Sequence, residues 1–225
     1  MFQGFSPKTL HFLKSLERNN KKEWFEAHRK DYETWLLNPF KSLTTDLGGF
    51  MLLIDPMLEI KPVVNKTISR IHRDTRFSKD KSPYKSNLWL TFKRRVPDWK
   101  KTPVFFFELF TDWYRFGMGF YNAAPATMIS FRNKIERNPD EFSALIETIN
   151  RQQIFKLDGE DYKRPLGNEY PALIQPWYQK KSFYLSCNRE TDDLLMSPEL
   201  SDRILEGFNM LVPLYRFLWK AIEVE

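Results

Sequence analysis

Val104-Phe105-Phe106-Phe107-Glu108-Leu109-Phe110 is followed, two residues later, by Trp113-Tyr114-Arg115-Phe116-Gly117-Met118-Gly119-Phe120-Tyr121, and these two runs decide the fold class. The first is apolar on both faces apart from Glu108, as in a strand buried inside a sheet. The second alternates, with Tyr114, Phe116, Met118 and Phe120 on one side and Arg115, Gly117, Gly119 and Tyr121 on the other. Thr111 and Asp112 are too short a link for a helical crossover, so the pair reads as antiparallel. Upstream, Asn87 to Lys93 alternates in the same way, with Leu88, Leu90 and Phe92 facing one side, and Thr67 to His72 is a short extended run. Short links between these runs predict an antiparallel meander.

Helical signals flank this block. Ser6-Pro7 opens a helix carrying Leu10, Leu13 and Leu16 at helical spacing. Asn20 is expected to cap a second, with Trp24, Phe25, His28, Tyr32, Trp35 and Leu36 at i, i+3/i+4. Asn38-Pro39 is expected to break it and open a third, with Phe40, Leu43, Leu47 and Phe50 on one face, ending at Asp55-Pro56. After Pro125, Met128, Phe131 and Ile135, then Phe142, Leu145 and Ile149, mark two amphipathic helices split at Asn138-Pro139. Asp158-Gly159 predicts a hairpin turn, and Pro165, Gly167, Pro171 and Pro176 punctuate a loop-rich stretch. Ser182 to Asn188 reads as a last strand, and Ser197-Pro198 to Glu225 as one or two helices interrupted near Pro213. The expected architecture is α+β: N-terminal helices, a central mostly antiparallel sheet and C-terminal helices, in one domain over residues 1–225.

Composition removes several classes. The single cysteine, Cys187, excludes an internal disulfide and a Cys-based zinc cluster, and its place beside Phe183 and Leu185 marks it as a core residue. The three histidines, His11, His28 and His72, show no metal-ligand spacing, so neither metal nor cofactor is expected. No phosphate-binding loop, dinucleotide fingerprint or Gly-x-Ser-x-Gly elbow is present. Secretory and membrane-spanning segments are absent by pattern, making the cytoplasm the expected location without membrane association. The 20 Phe, 9 Tyr and 7 Trp predict a dense aromatic core.

Charge is concentrated. The chain carries a net +6, yet residues 61–101 hold thirteen Lys or Arg against three acids. Its centre is Ser69-Arg70-Ile71-His72-Arg73-Asp74-Thr75-Arg76-Phe77-Ser78-Lys79-Asp80-Lys81-Ser82-Pro83-Tyr84-Lys85, with Ile71, Phe77 and Tyr84 as anchors to the body. Two readings stand: a solvated loop stiffened by Arg–Asp pairs, or a site that takes an anion between like charges. Gly117 and Gly119, on a strand face with Arg115 and Tyr121, signal close approach of either a packed element or a ligand. Glu108 on that face is a structural ion pair or a general base.

These residues resemble the uncharacterised bacterial and fungal proteins grouped as domain of unknown function 2461. The resemblance is carried by Phe5 to Leu16 with Asn19-Asn20-Lys21-Lys22-Glu23-Trp24-Phe25, by the run from Arg70 to Lys85, by Gly117-Met118-Gly119-Phe120-Tyr121, by Arg132-Asn133-Lys134-Ile135 and by Lys163-Arg164-Pro165-Leu166-Gly167. It implies one domain, and carries no activity, cofactor or catalytic residue.

Two functions are expected. The first is an anion pocket, for phosphate or carboxylate, extending to an enzyme acting on a small anionic metabolite. Arg70, Arg73, Arg76, Lys79, Lys81, Tyr84, Arg115, Gly117, Gly119 and Tyr121 would form the binding surface. Lys85 or Lys81 would stabilise developing charge, and Asp74 or Glu108 would handle the proton. Lys163-Arg164-Pro165 would extend the site or form an exposed turn. The second is a non-catalytic module for nucleic acid or an acidic protein, with Lys93-Arg94-Arg95 and Lys100-Lys101 around Trp99 widening the basic surface.

Overall fold

Ser6 starts the first helix, α1 (Pro7–Arg18), in the computed structural model, which describes residues 1–76, 79–164, 166 and 170–223. The Ser6 hydroxyl accepts from the Thr9 amide, and the Ser6 amide donates to the Thr9 hydroxyl. Two N–H groups without helical partners are thereby satisfied, and Pro7 follows with its φ already set for a helix. Thr9, Phe12, Leu13 and Leu16 are the buried positions, and Leu10 is half-buried.

The second helix differs from expectation. It is divided into α2 (Lys22–Ala27), capped by Lys21 without a side-chain bond, α3 (Arg29–Asp31) and a π-helical turn, Tyr32–Leu37. That turn runs into α4 (Asn38–Ile54) with helical dihedrals at Asn38, so the chain does not break at Asn38-Pro39. The reason lies in Pro39. It cannot donate to the Trp35 carbonyl four residues back, and its ring would collide with that oxygen in an α-helix. The wider π turn accommodates the ring. Thr9 Oγ1 then donates to Trp35 O at 2.5 Å, satisfying the carbonyl that proline cannot. Phe40, Leu43 and Leu47 are buried as spaced, with Met51 rather than Phe50 as the last inward residue.

The five strands form one sheet in the order β1 (Leu88–Phe92), β2 (Pro103–Leu109), β3 (Trp113–Phe120), β5 (Tyr184–Glu190), β4 (Lys156–Asp158). The meander is the β1-β2-β3 portion, and the apolar strand β2 is interior, as its two-sided pattern demands. Antiparallel pairing shows in Phe110 N to Trp113 O, in Phe120 N to Phe183 O with Thr191 N to Asp112 O, and in the β4–β5 register from Lys156↔Ser186 to Asp158↔Tyr184. The architecture is α+β. Residues 67–72 form isolated bridges, from Ile68 to Val64 and Leu90 and from His72 to Tyr84, not a strand. Asp158-Gly159 is a turn but not a tight hairpin, because the partner strand begins at Tyr184. The remaining helices are α5 (Pro125–Arg137), α6 (Pro139–Arg151), α7 (Gln175–Tyr178) and α8 (Glu199–Ile222). Pro213 lies inside α8 without interrupting it. Buried Leu211, Leu214, Tyr215 and Leu218 around it offset the missing backbone bond.

Two compact units divide these elements. The first comprises Met1–Phe92, Phe106–Arg115 and Asn188–Leu205. Its core includes Phe5, whose ring lies 5.2 Å from Phe40 and stacks on Phe107 at 5.7 Å. The second comprises Lys93–Phe105, Phe116–Cys187 and Glu206–Glu225. There Phe131, Phe142, Trp177 and Phe183 contact one another edge to face or tilted. Cys187 is buried.

Candidate functional site

The basic segment belongs to the first unit and is fastened along a short antiparallel ladder. Arg73 N donates to Pro83 O at 2.8 Å and Lys85 N to Ile71 O at 2.9 Å, flanking the bridge between His72 and Tyr84. In this register the Tyr84 N–H and C=O point away from the ladder, and Asn20 reads both. Its Oδ1 accepts from Tyr84 N at 3.0 Å and its Nδ2 donates to Tyr84 O at 3.0 Å. Asn20 therefore acts as a clamp across 64 residues, not as the expected helix cap. The Tyr84 ring, buried, stacks on Phe25 at 4.2 Å, and Ile71, opposite Lys85 in the ladder, is also buried. Phe77, the third expected anchor, lies outside the described residues, as do Ser78, Pro165 and Gly167.

The charges on this scaffold fall into two sets. The outer arginines are braced locally. Arg76 Nε and Nη2 donate to the two oxygens of Asp74 at 3.0 and 2.7 Å, and Arg70 adds a longer contact to Asp74 at 3.7 Å. The Arg76 bonds hold the Asp74 carboxyl far below the usual carboxylate range. Lys81 donates to the Thr75 carbonyl at 2.8 Å, and Lys79 is exposed. Asp80 accepts from Ser82 N, which with the Ser82 hydroxyl lowers its pKa, and it pairs with Arg73 at 3.1 Å.

The inner set is Arg73, which keeps Asp80 as its acid, and Lys85, which has none among the described residues. Arg73 and Lys85 occupy diagonal positions on one face of the ladder, where side chains approach each other. The buried Nε of Arg73 has no hydrogen-bond partner among the described residues. Lys85 Nζ lies 3.7 Å from the centre of the Trp89 ring and makes no ion pair with a described residue. Burial first, then the charges of Arg70 and Arg73, push the Lys85 ammonium down to about 8, with Glu108 acting the other way.

Glu108 and Arg115 form an ion pair through one carboxylate oxygen. Arg115 Nε and Nη2 reach Glu108 Oε2 at 2.8 and 2.6 Å, while Asn87 Nδ2 donates to Oε1 at 2.6 Å. Both oxygens are engaged, and the carboxylate is only 12% exposed. The Arg115 guanidinium also lies 5.7 Å from the rings of Phe106, Phe110 and Trp113.

Gly117, Gly119 and Tyr121 belong to the second unit. A Cβ on Gly117 would sit 1.9 Å from Leu185 O, and one on Gly119 2.3 Å from Tyr184 Cα. The close approach that these glycines permit is therefore that of the β5 backbone. Tyr121 is exposed, with its ring 6.0 Å from Trp99 and Lys100 Nζ 5.6 Å from its centre. Lys93 lies over Trp99 at 4.0 Å, Arg94 covers Trp219 and pairs with Glu223, and Lys101 pairs with Asp98. Lys163 and Arg164 are exposed. Arg132, of the motif Arg132-Asn133-Lys134-Ile135, is buried and donates to the carbonyls of Tyr178 and Lys180 at 2.9 and 2.6 Å, a structural brace.

Sequence reasoning missed Asn20, Asn87 and Trp89 as parts of this region. An amide residue beside a helix start looks the same whether it caps its own helix or clamps a distant strand. Trp89 carried a signal, since it faces opposite Leu88 and Leu90 on an otherwise buried strand. Among the described residues, no three His, Cys, Asp or Glu side chains gather as metal ligands, and no helix is long and apolar enough to cross a membrane.

A search among curated proteins finds no match. A family model described as conserved hypothetical protein (DUF2461) matches residues 8–217, and so spans the clamp, the basic ladder, the glycine strand and the Arg132 brace. The chain belongs to this family of conserved hypothetical proteins.

Proposed function

We propose that the protein binds a small anion, a phosphate or carboxylate group, between Arg70, Arg73 and Lys85. The observation that carries this reading is the ladder that holds Lys85 beside two arginines without a carboxylate of its own. Holding like charges together in a half-buried place opposes folding unless something is gained. An anion relieves that repulsion and supplies an acceptor for the unpartnered Arg73 Nε. Asp74 and Glu108, engaged by Arg76 and by Arg115 with Asn87, keep the outer charges in place, and the reading here is recognition rather than proton transfer. A small ligand is favoured over nucleic acid or an acidic protein because Arg94 and Lys101 of the wider basic surface are each paired with an acid. A cytoplasmic location accompanies this reading, as that compartment keeps a lone thiol such as Cys187 reduced.

The test is thermal unfolding in inorganic phosphate, sulfate, citrate and chloride at matched ionic strength. A ligand at 100 times its Kd adds about 2.7 kcal/mol. For a chain of this size that is roughly 5–10 °C in Tm. The expected shift appears with at least one polyvalent anion over chloride and is lost in Lys85→Met. Equal Tm in all four salts, or an undiminished shift in Lys85→Met, overturns the assignment.

A further inference from the structure

The N-terminal helices form a cleft of about 510 Å³ that the anion site does not use. This is within the range of small-molecule pockets. Two helical stripes face each other across it. Lys8, His11, Ser15 and Asn19 lie along one face of α1. Trp24, His28, Asp31 and Trp35, at steps of four, three and four, line the other side from α2 to the π-helical turn. Buried Phe12 also lines it, 5.9 Å from the Trp24 ring. The lining positions Lys8, His11, Asn19 and Asp31 are exposed and, Phe12 apart, the others are half-buried, so the cleft is an open groove. It holds two indoles and a row of hydrogen-bonding groups.

The chemistry of the cleft is specific. Lys8 and Asp31 balance in formal charge, so no strong field selects an ion. His28 Nδ1 lies 2.8 Å from Trp24 O; a carbonyl only accepts, so Nδ1 carries a proton and Nε2 is the ring nitrogen left for a ligand. Asp31 adds carboxylate acceptors, and Asn19 and Ser15 add neutral polar groups. The set is therefore rich in acceptors, and it suits a ligand with several hydroxyl donors. Each indole has one face taken, by His28 stacked on Trp24 at 4.0 Å and 15° and by Lys8 Nζ 4.2 Å over Trp35, so at most one face of each is left to a ligand. A flat heterocycle gains most from two parallel faces, whereas a sugar ring needs one. Trp24 and Trp35 stand eleven positions, about three helical turns, apart, more than a single sugar ring spans.

We infer that this cleft binds a short neutral oligosaccharide, with the two tryptophans as ring platforms and His28 and Asp31 as acceptors for its hydroxyl groups. The test is titration of the full chain with maltotriose, cellotriose and chitotriose, each to about 20 mM, ample for a Kd near 1 mM. The readout is the tryptophan indole N–H signals by NMR, those of Trp24 and Trp35 being assigned with Trp24→Phe and Trp35→Phe. Saturable shifts of both signals with at least one sugar, while Trp177 stays fixed, are the expected result. Asp31→Asn, an exposed and conservative change, is expected to weaken that binding about tenfold with unchanged Tm. Absence of saturable shifts with all three sugars overturns the inference. So does a response of the same two signals to adenosine or inorganic phosphate in place of sugar.

Discussion

Replacing Asn20 by Ala removes the side chain that reads both backbone groups of Tyr84. The consequences differ for the two groups. Tyr84 O keeps a donor, because Arg73 Nη2 lies 3.3 Å away. Tyr84 N–H has no other partner among the described residues. A hydrogen bond contributes about 0.5–1.5 kcal/mol net, and an orphaned buried donor costs about 1–3 kcal/mol. Asn20→Ala is thus expected to destabilise the first unit by roughly 2–4 kcal/mol. Over 150–250 residues each kcal/mol moves Tm by about 2–4 °C, giving a fall of roughly 5–15 °C. Asn20→Asp separates the contributions: its carboxylate accepts from the amide but cannot donate to the carbonyl, so most of the loss is recovered. Chemical denaturation gives the global value, and amide exchange at Tyr84 and Lys85 gives the local one. A loss below about 0.5 kcal/mol, or unchanged exchange at these two amides, refutes the clamp. The same variant loosens the ladder that aligns Arg73 with Lys85, so anion-dependent stabilisation should fall with it.

Other substitutions and conditions report on separate parts of the argument. Gly117→Ala drives a methyl group into Leu185 O and should cost about 3 kcal/mol or more, read as insoluble expression or a fall in Tm; a Tm within 1 °C, about 0.3 kcal/mol here, contradicts the close β3–β5 approach. Thr9→Val removes both the donor to Trp35 O and the acceptor of the Ser6 amide and should cost about 1–3 kcal/mol in denaturant melts, whereas Thr9→Ser should retain most of both bonds. Lys85 gives two pH dependences of opposite sign. Stability should rise between pH 8 and 10.5, where the unfolded chain holds the Lys85 proton more firmly than the folded one. Anion affinity should fall as pH passes 8, because the ammonium that binds is lost, and calorimetric titration with phosphate at pH 7 and 9 measures it. Lys85→Met should raise Tm at pH 7 by a few degrees, roughly 1 kcal/mol, while abolishing anion-dependent stabilisation.

What could be read from the residues was what is decided within a turn or a strand. The capping box at Ser6 and Thr9, the alternation of Leu88, Leu90 and Phe92, and the two-sided apolar run in β2 depend on neighbours a few positions away. Asp74 beside Arg76 is likewise local, and the expected stiffening pair is present. Where the reading differs, a distant partner decides. Pro39 signals a helix stop on its own; Thr9, contributed by another helix, takes the Trp35 carbonyl and lets the chain continue. Asn20 keeps the hydrogen-bonding role expected of it, toward N–H and C=O groups 64 residues away instead of its own helix. Gly117 and Gly119 announce a close approach without saying of what, and the β5 backbone answers. The charge run shows the same division at the site. Counting Lys and Arg finds the segment but treats its charges alike, whereas the ladder separates Arg76, answered by Asp74 two residues back, from Lys85, placed by its register opposite Ile71 and near Arg73. A cation without an acid is informative only once the fold has had the opportunity to supply one. Glu108 makes that distinction concrete: it lies near enough to raise the Lys85 pKa, yet both its oxygens are held by Arg115 and Asn87. Freeing Glu108 by Arg115→Met should therefore let the carboxylate turn to Lys85, raise the ammonium's pKa and weaken phosphate binding, and an unchanged pH profile of affinity would show that the pair does not control the site.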